Sequence, residues 1–470
     1  MIQVIAAKEF LELRRDRRFV VAALILSLAL LVGGAFGAAN FLDLRRQAEA
    51  AGHNERQRWL DQGDKHPHGA AHYGVFAFKS PRPLAMIDTG LQPYVGSLVW
   101  LEAHKQNEML YRPAEDATAL QRFGDLTPAI VAQTLIPLLI VFLAYGSFSR
   151  ERELGTLAQL TSLGVRSSDL LLGKAAGAAG ALSPILLPAF VFSLAVIAAV
   201  TPSALLWDEL ARFLILALIY SAYFAIFIFV ALAVSAWRRS SAAALAILLV
   251  FWALTTLVAP RVLSDWARAA YPTDPAIELK QALESSLAAV EARSREDARK
   301  DLVEKYGVAK VEDLPFAFEG AALQAEEESA YGVFERHYAE FFDVLRWQNL
   351  FYQFGALLSP LTAVQLSSMA LAGNDLEQHR DFVLQAEANR RVIHTMINDY
   401  ILKHGVRDAD GQWGASAGRE LWQEIPPFDY RPNAWSAALA EYGAGLGLLG
   451  LWLLCALAAA FRAAASIKAV

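Results

Sequence analysis

Six stretches of the chain run without a single charge for about the 20 residues that cross a bilayer's hydrocarbon core. They lie between Arg18 and Asp43, Asp125 and Arg150, Lys174 and Asp208, Arg212 and Arg238, Arg239 and Arg261, and Glu441 and Arg462. The pattern predicts transmembrane helices over 19–42, 127–148, 175–200, 212–236, 242–262 and 434–461. The third gap holds 33 uncharged residues and contains Pro184 and Pro188, which should break a helix there. The first is too long for the apolar core of a cleaved signal and lacks a small-x-small site, so it is expected to be retained.

Between the spans the pattern changes. Ile2, Ile5, Phe10 and Leu13 alternate with Lys8, Arg14 and Arg15, which suits an amphipathic helix over 1–18 in the membrane interface. A plain basic flank fits these residues nearly as well. Two long insertions, 43–126 and 263–433, separate the first from the second span and the fifth from the sixth. The larger is rich in Ala, Leu, Glu, Lys and Arg, all good helix formers, with Gly307 as a stop. Within it, 349–373 is apolar but carries Gln353, Ser359, Thr362, Ser367 and Ser368. That mixture predicts a helix at the membrane surface or packed on the bundle, not a seventh span. The expected fold is an all-α integral membrane protein with six transmembrane helices and two extracytoplasmic insertions, the larger mostly helical. Short connections cover 201–211 and 237–241, and a tail covers 462–470.

Basic residues set the orientation. Lys8, Arg14, Arg15, Arg17 and Arg18 precede span 1; Arg150, Arg152, Arg166 and Lys174 lie between spans 2 and 3; Arg238 and Arg239 separate spans 4 and 5; Arg462 and Lys468 follow span 6. With six spans, all four sets fall on the cytoplasmic side, with both termini.

Composition narrows the function. Hydrophobic residues make up 55% and charged residues 19%, below the quarter or so usual in soluble proteins. The net charge of -6 excludes a generally basic nucleic-acid binder. Residues 265–433 carry 28 acidic and 17 basic residues, a balance of -11 that leaves +5 for the remainder, as expected of segments touching an anionic leaflet. A lone Cys455 excludes internal disulfides and cysteine metal clusters. The spans lack the buried carboxylates, histidines or lysines of ion-coupled transporters, so energy for uphill movement would arrive from outside the bilayer. Gly173-Lys174 is not a nucleotide-binding loop, because position 168 is Ser and position 175 is Ala. No nucleophile, dyad or triad spacing is present, and the chain is expected to be non-catalytic, without a cofactor of its own.

All nine histidines lie in the insertions. His66, His68 and His72 have a spacing that could gather metal ligands. Pro67 and the neighbouring glycines, with no carboxylate close after Asp64, read instead as an ordinary solvated turn. His379, His394 and His404 read as surface or capping residues.

The most informative segment is 149–174. Leu154, Leu157, Leu160 and Leu163 recur at helical spacing. Arg150, Glu151, Arg152 and Glu153 form a mixed-charge start, and Ser167, Ser168 and Asp169 are candidate N-caps for span 3. A short amphipathic helix joining two spans can insert into a groove on a cytosolic partner and turn both spans; it can equally rest on the inner leaflet.

The string ERELGTLAQLTSLGVRSSDLLLGK resembles the connector of type-2 ATP-binding-cassette (ABC) exporter permeases, through Glu151, Glu153, Gly155, Thr156, Leu157, Leu160, Gly173 and Lys174. Many members carry Pro where this chain has Gly164. The layout, and the string LLSPLTAVQLSSMALAGND followed by His379 and Phe382, resemble a bacterial branch with large external loops. The resemblance implies a permease of the bacterial inner membrane and two permease subunits, a second copy or a paralogue. It implies a separate cytosolic ABC ATPase that binds ATP and Mg and is docked by residues 150–163, and transport that is usually export. Membrane lipids and an envelope protein at the insertions complete the expected partners. A membrane-anchored scaffold or signalling protein is the alternative, and a neutral channel is the third.

Overall fold

The computed structural model describes residues 1–116, 126–407 and 413–467; Asp125 and Lys468 lie outside them. Helix accounts for 78% of the chain. Among the described residues, six helices are long and apolar enough to cross a membrane: Arg17–Leu60, Pro128–Glu153, Ser167–Val200, Leu206–Trp237, Ser241–Ala270 and Gly443–Ala465. They are called spans 1 to 6 below. Six crossings bring both chain ends to one end of the bundle, here the terminal end. The insertions emerge at the other, the domain end.

The N-terminal helix, Ile2–Arg15, is separated from span 1 by Asp16, whose carboxylate accepts the Arg18 N–H at 2.8 Å as an N-cap. Its Ile5, Phe10 and Leu13 pack against the bundle core. Span 1 continues well past residue 42 because 43–60 are rich in Ala, Glu, Gln and Arg, which extend the helix without apolar surroundings.

Span 3 corrects one expectation: Pro184 and Pro188 sit inside a single continuous helix. The Gly180 carbonyl left without a partner by Pro184 accepts the Ser183 hydroxyl at 2.7 Å. Such local replacement is how proline is tolerated in a span. Span 4 begins at Leu206, earlier than the charge gap suggests, and its first turns bury Glu209 and Arg212. Arg212 donates to Asp208 at 2.7 Å, to the carbonyls of Ala370 and Leu371, and to the Asn433 carbonyl. Arg82, from the first insertion, pairs with Asp208 at 2.5 Å and Glu209 at 2.6 Å.

Within the second insertion the ambiguous stretch becomes a 3-10 turn, Gly355–Leu357, and a helix, Pro360–Ala372, closed by Gly373 at φ +77°. That helix is buried on nearly every face, packed on the bundle against spans 4 and 6. Two hydroxyls, at its N-cap and in its third turn, tie it to its neighbours. Ser359 donates to the Thr255 carbonyl at 2.5 Å, and Ser368 donates to the buried Asp88 at 2.5 Å. Thr255 lies in a π-helical turn of span 5, Leu254–Val258, and span 2 has a matching turn, Val131–Leu135. The Trp252 indole bridges the two spans by donating to the Thr134 carbonyl at 3.0 Å.

The two insertions share one core. The first supplies the end of span 1, a helix over Pro67–Tyr73, and three antiparallel strands, Val75–Phe78, Leu98–Glu102 and Lys105–Leu110, with Phe76 opposite Trp100 and Val99 opposite Met109. The second supplies the helices Phe318–Phe354 and Leu376–His404; the helix Ala276–Tyr306, stopped by Gly307 at φ +62°, lies outside that core and packs along Phe318–Phe354. Trp59 meets Trp422 edge-on, and its indole donates to the Trp422 carbonyl at 3.0 Å. Lys65 and Ala417 exchange two backbone hydrogen bonds.

Since Trp59 is 2% exposed at this junction, Trp59→Ala should cost about 3–5 kcal/mol. Thermal unfolding of the solubilised chain should show a melting point lowered by several degrees; an unchanged one would mean that the insertions do not lean on each other there.

Candidate functional site: the connector at the terminal end

The connector folds as two short helices, Ser149–Glu153 and Thr156–Ser162. Gly155 at φ +75° ends the first, and Gly164 at φ +78° ends the second. Proline, held near φ -65°, could not take that second turn, so the chain turns here in a way that a proline-bearing connector cannot. Span 3 starts at Ser167 with Arg166 in the cap position and no side-chain cap, one residue ahead of the expected N-caps. Asp169 instead places its charge in the first turn, where the helix dipole favours it.

The four connector charges divide sharply. Glu151 accepts from Lys174 of span 3 at 2.8 Å and from Lys8 of the N-terminal helix at 3.1 Å. Arg152 reaches the last turn of span 4, donating to the Ala236 carbonyl at 2.7 Å and to the Arg238 carbonyl. A cation there satisfies the open carbonyls of a helix end. Glu153 accepts the Ser241 N–H at 2.7 Å and its hydroxyl at 2.9 Å, capping span 5. Arg150 is exposed and makes no ion pair among the described residues. Beneath them, the Ser235 hydroxyl of span 4 accepts the N–H groups of Phe148 and Ser149 at 2.9 and 3.1 Å. The cluster joins spans 2, 3, 4 and 5 and the N-terminal helix.

Lys174 is its centre. The side chain is 2% exposed and pairs with Glu9 at 2.7 Å as well as with Glu151. Gly173 and Gly177 make this possible. A Cβ at Gly173 would stand 2.6 Å from the Ile5 Cβ, and one at Gly177 2.5 Å from the Glu9 Cβ. The glycine pair, four residues apart, lets the N-terminal helix lie directly on span 3. Burial would push the Glu9 carboxyl up, but the Lys174 ammonium and then Lys8 outweigh it and hold Glu9 below its ordinary range.

The leucines divide as well. Leu157 is buried and Leu160 partly so, both packed on the bundle core. Leu154 and Leu163 flank the helix rather than continue its face, and stand 69% and 80% exposed. Gly155 and Thr156 are exposed, and the Thr156 hydroxyl donates to the Glu151 carbonyl at 3.1 Å. Of the residues singled out from sequence, Glu151, Arg152 and Leu157 are therefore internal ties, and Glu153, though exposed, is spent on capping span 5. Arg150, Leu154 and Leu163 form the free surface. Glu9 and Lys8 were missed, and the GxxxG spacing at Gly173 was the signal that a helix packs there.

At the domain end, Pro67–Tyr73 is a helix rather than the expected solvated turn, with Pro67 at its start. His68 and His72 lie together with His104, from the turn between the second and third strands. His66 stands apart, 3.6 Å from Glu319.

Residues 3–289 match the ABC-2 family of transporter proteins. Residues 276–431 match a domain of unknown function, DUF3526. No curated protein matches the chain. With more than half of its length matched, the chain belongs to the ABC-2 family: it is a multi-pass membrane protein and a permease subunit of an ABC transporter, a non-catalytic class of subunit that works with a partner ATPase.

Replacing Lys174 by Met removes the buried cation that Glu9 and Glu151 share, leaving them only the exposed Lys8, and should cost about 3 kcal/mol, read from thermal unfolding. Because Glu9 is held low, its contribution is complete above the ordinary value of 4.5 and is lost as the pH falls through its lower folded value. Stability should drop on acidification below that value, and Glu9→Gln should flatten the drop. Equal acid sensitivity in the variant would show that Glu9 carries none of it.

Proposed function

We propose that the connector is the docking element for a cytosolic ABC ATPase, and that the chain exports its substrate from the bacterial inner membrane with both termini in the cytosol. The observation that carries this reading is the division of the connector. Its charges are spent on four spans and the N-terminal helix, while two leucines and an arginine face outward. A partner groove that takes Leu154 and Leu163 would gain about 25 cal/mol for each Å² of apolar surface removed from water. Arg150 would set the register against an acidic rim on the partner.

In this reading ATP and Mg belong to the partner, and the chain supplies mechanics. Nucleotide-driven movement of the ATPase pushes the connector. Glu151, Arg152 and Glu153 then carry that push to spans 3, 4 and 5 together. The charges buried in the spans, Lys174 in span 3 and Glu209 and Arg212 in span 4, lie in the first turns of their helices and are spent on ion pairs, so in this reading the work comes from the connector side. A second permease, identical or related, would complete the pathway, and the joined insertions would face the envelope and receive or hand on the substrate.

Leu154→Asp with Leu163→Asp should abolish co-purification of the cytosolic ABC ATPase and ATP-dependent transport, with the melting point unchanged. Glu153→Gln should instead lower the melting point. Full ATPase binding by the leucine variant would remove the docking role. Absence of any ATPase from native complexes would favour an envelope-facing scaffold.

A further inference from the structure

The geometry points to a metal site in the joined insertions, in which the imidazoles of His68, His72 and His104 bind one divalent transition-metal ion of the zinc class. Their ligand atoms all lie within 4.8 Å of one another. His68 and His72 are one helical turn apart, and their Nε2 atoms face each other at 3.1 Å. Two imidazoles on a tetrahedral zinc, with bonds of about 2.0–2.1 Å, hold their nitrogens about 3.4 Å apart, so that pair is close to the ligating separation already. The third ring is equidistant from both: His104 lies 5.3 Å from His68 and 5.4 Å from His72, centroid to centroid.

His104 is held for this position in two ways. Its backbone has φ +61°, in the left-handed region that a non-glycine residue occupies only under constraint. Glu327, from the second insertion, accepts both its backbone N–H at 2.7 Å and its Nδ1 at 3.2 Å. A carboxylate on Nδ1 fixes the tautomer and leaves Nε2 with the free lone pair, the arrangement that orients metal-bound histidines. Glu327 is 2% exposed at its side chain and is held by Arg390 at 2.9 Å, so it cannot turn away. Three neutral nitrogens suit zinc and its neighbours better than magnesium or calcium, which prefer oxygen. His72 is exposed, so the fourth position opens to solvent and can take water or a donor atom of an incoming molecule. Occupancy would also brace the first insertion against Glu327 of the second.

The test uses the full chain in lipid nanodiscs, stripped with EDTA, reloaded with zinc chloride and dialysed against metal-free buffer. Elemental analysis should give about one zinc per chain. His72→Ala, at an exposed position where folding is not at stake, should lose at least nine-tenths of it; His66→Ala, outside the cluster, should keep it all. Cobalt(II) in place of zinc should show the strong visible absorption of a four-coordinate ion, and the weak bands of a six-coordinate ion would contradict the site. Wild-type zinc at background, or full retention by His72→Ala, would overturn the assignment.

Discussion

A lysine ammonium held out of water must have its charge answered, and at Lys174 the answer comes from two other parts of the chain. Glu9 arrives on the N-terminal helix and Glu151 on the connector. Losing both would strand the buried ammonium, a cost of several kcal/mol, and losing either leaves it with half of its ion pairs. That constraint makes the N-terminal helix, the connector and the start of span 3 one mechanical piece. Arg152 and Glu153 extend it to the facing ends of spans 4 and 5, each by satisfying open backbone groups of a helix end. The exposed leucines stand on this piece rather than on a loop that could flex.

A second ion cluster ties the domain end. Arg212 holds the last carbonyls of the buried helix Pro360–Ala372, and Arg82 draws the first insertion onto span 4. Between the two tied ends, spans 2 and 5 each contain a π-helical turn, and both turns touch that buried helix. Such turns displace the regular hydrogen-bond ladder and often mark functional positions. The bundle is thus tied at both ends by ion clusters and carries irregular turns in spans 2 and 5.

Much of this was legible in the chain. Hydrocarbon excludes charge, so the six gaps located the spans, and Gly307 located a helix stop because a left-handed residue was needed there. Four leucines at helical spacing suggested one apolar face, of which Leu157 and Leu160 pack on the core while Leu154 and Leu163 stand outside it. What stayed hidden depends on residues far apart. Glu9 and Lys174 are separated by 165 positions, and His104 and Glu327 by 223, so no local pattern announces either pair. Nor did the charged quartet reveal that three of its members are spent on partners within the chain, since a helix end offers backbone partners that leave no mark in sequence. Pro184 misled for the opposite reason: a repair by the residue beside it keeps the helix whole.

Spin labels at Gln159 on the connector and Ala176 on span 3, both exposed, test the shared piece most directly. Their distance distribution, measured by pulsed electron paramagnetic resonance in nanodiscs with the partner ATPase, should be narrow and identical with and without trapped nucleotide. A distribution that shifts or splits when nucleotide is trapped would show the connector moving independently of span 3, and would contradict the account.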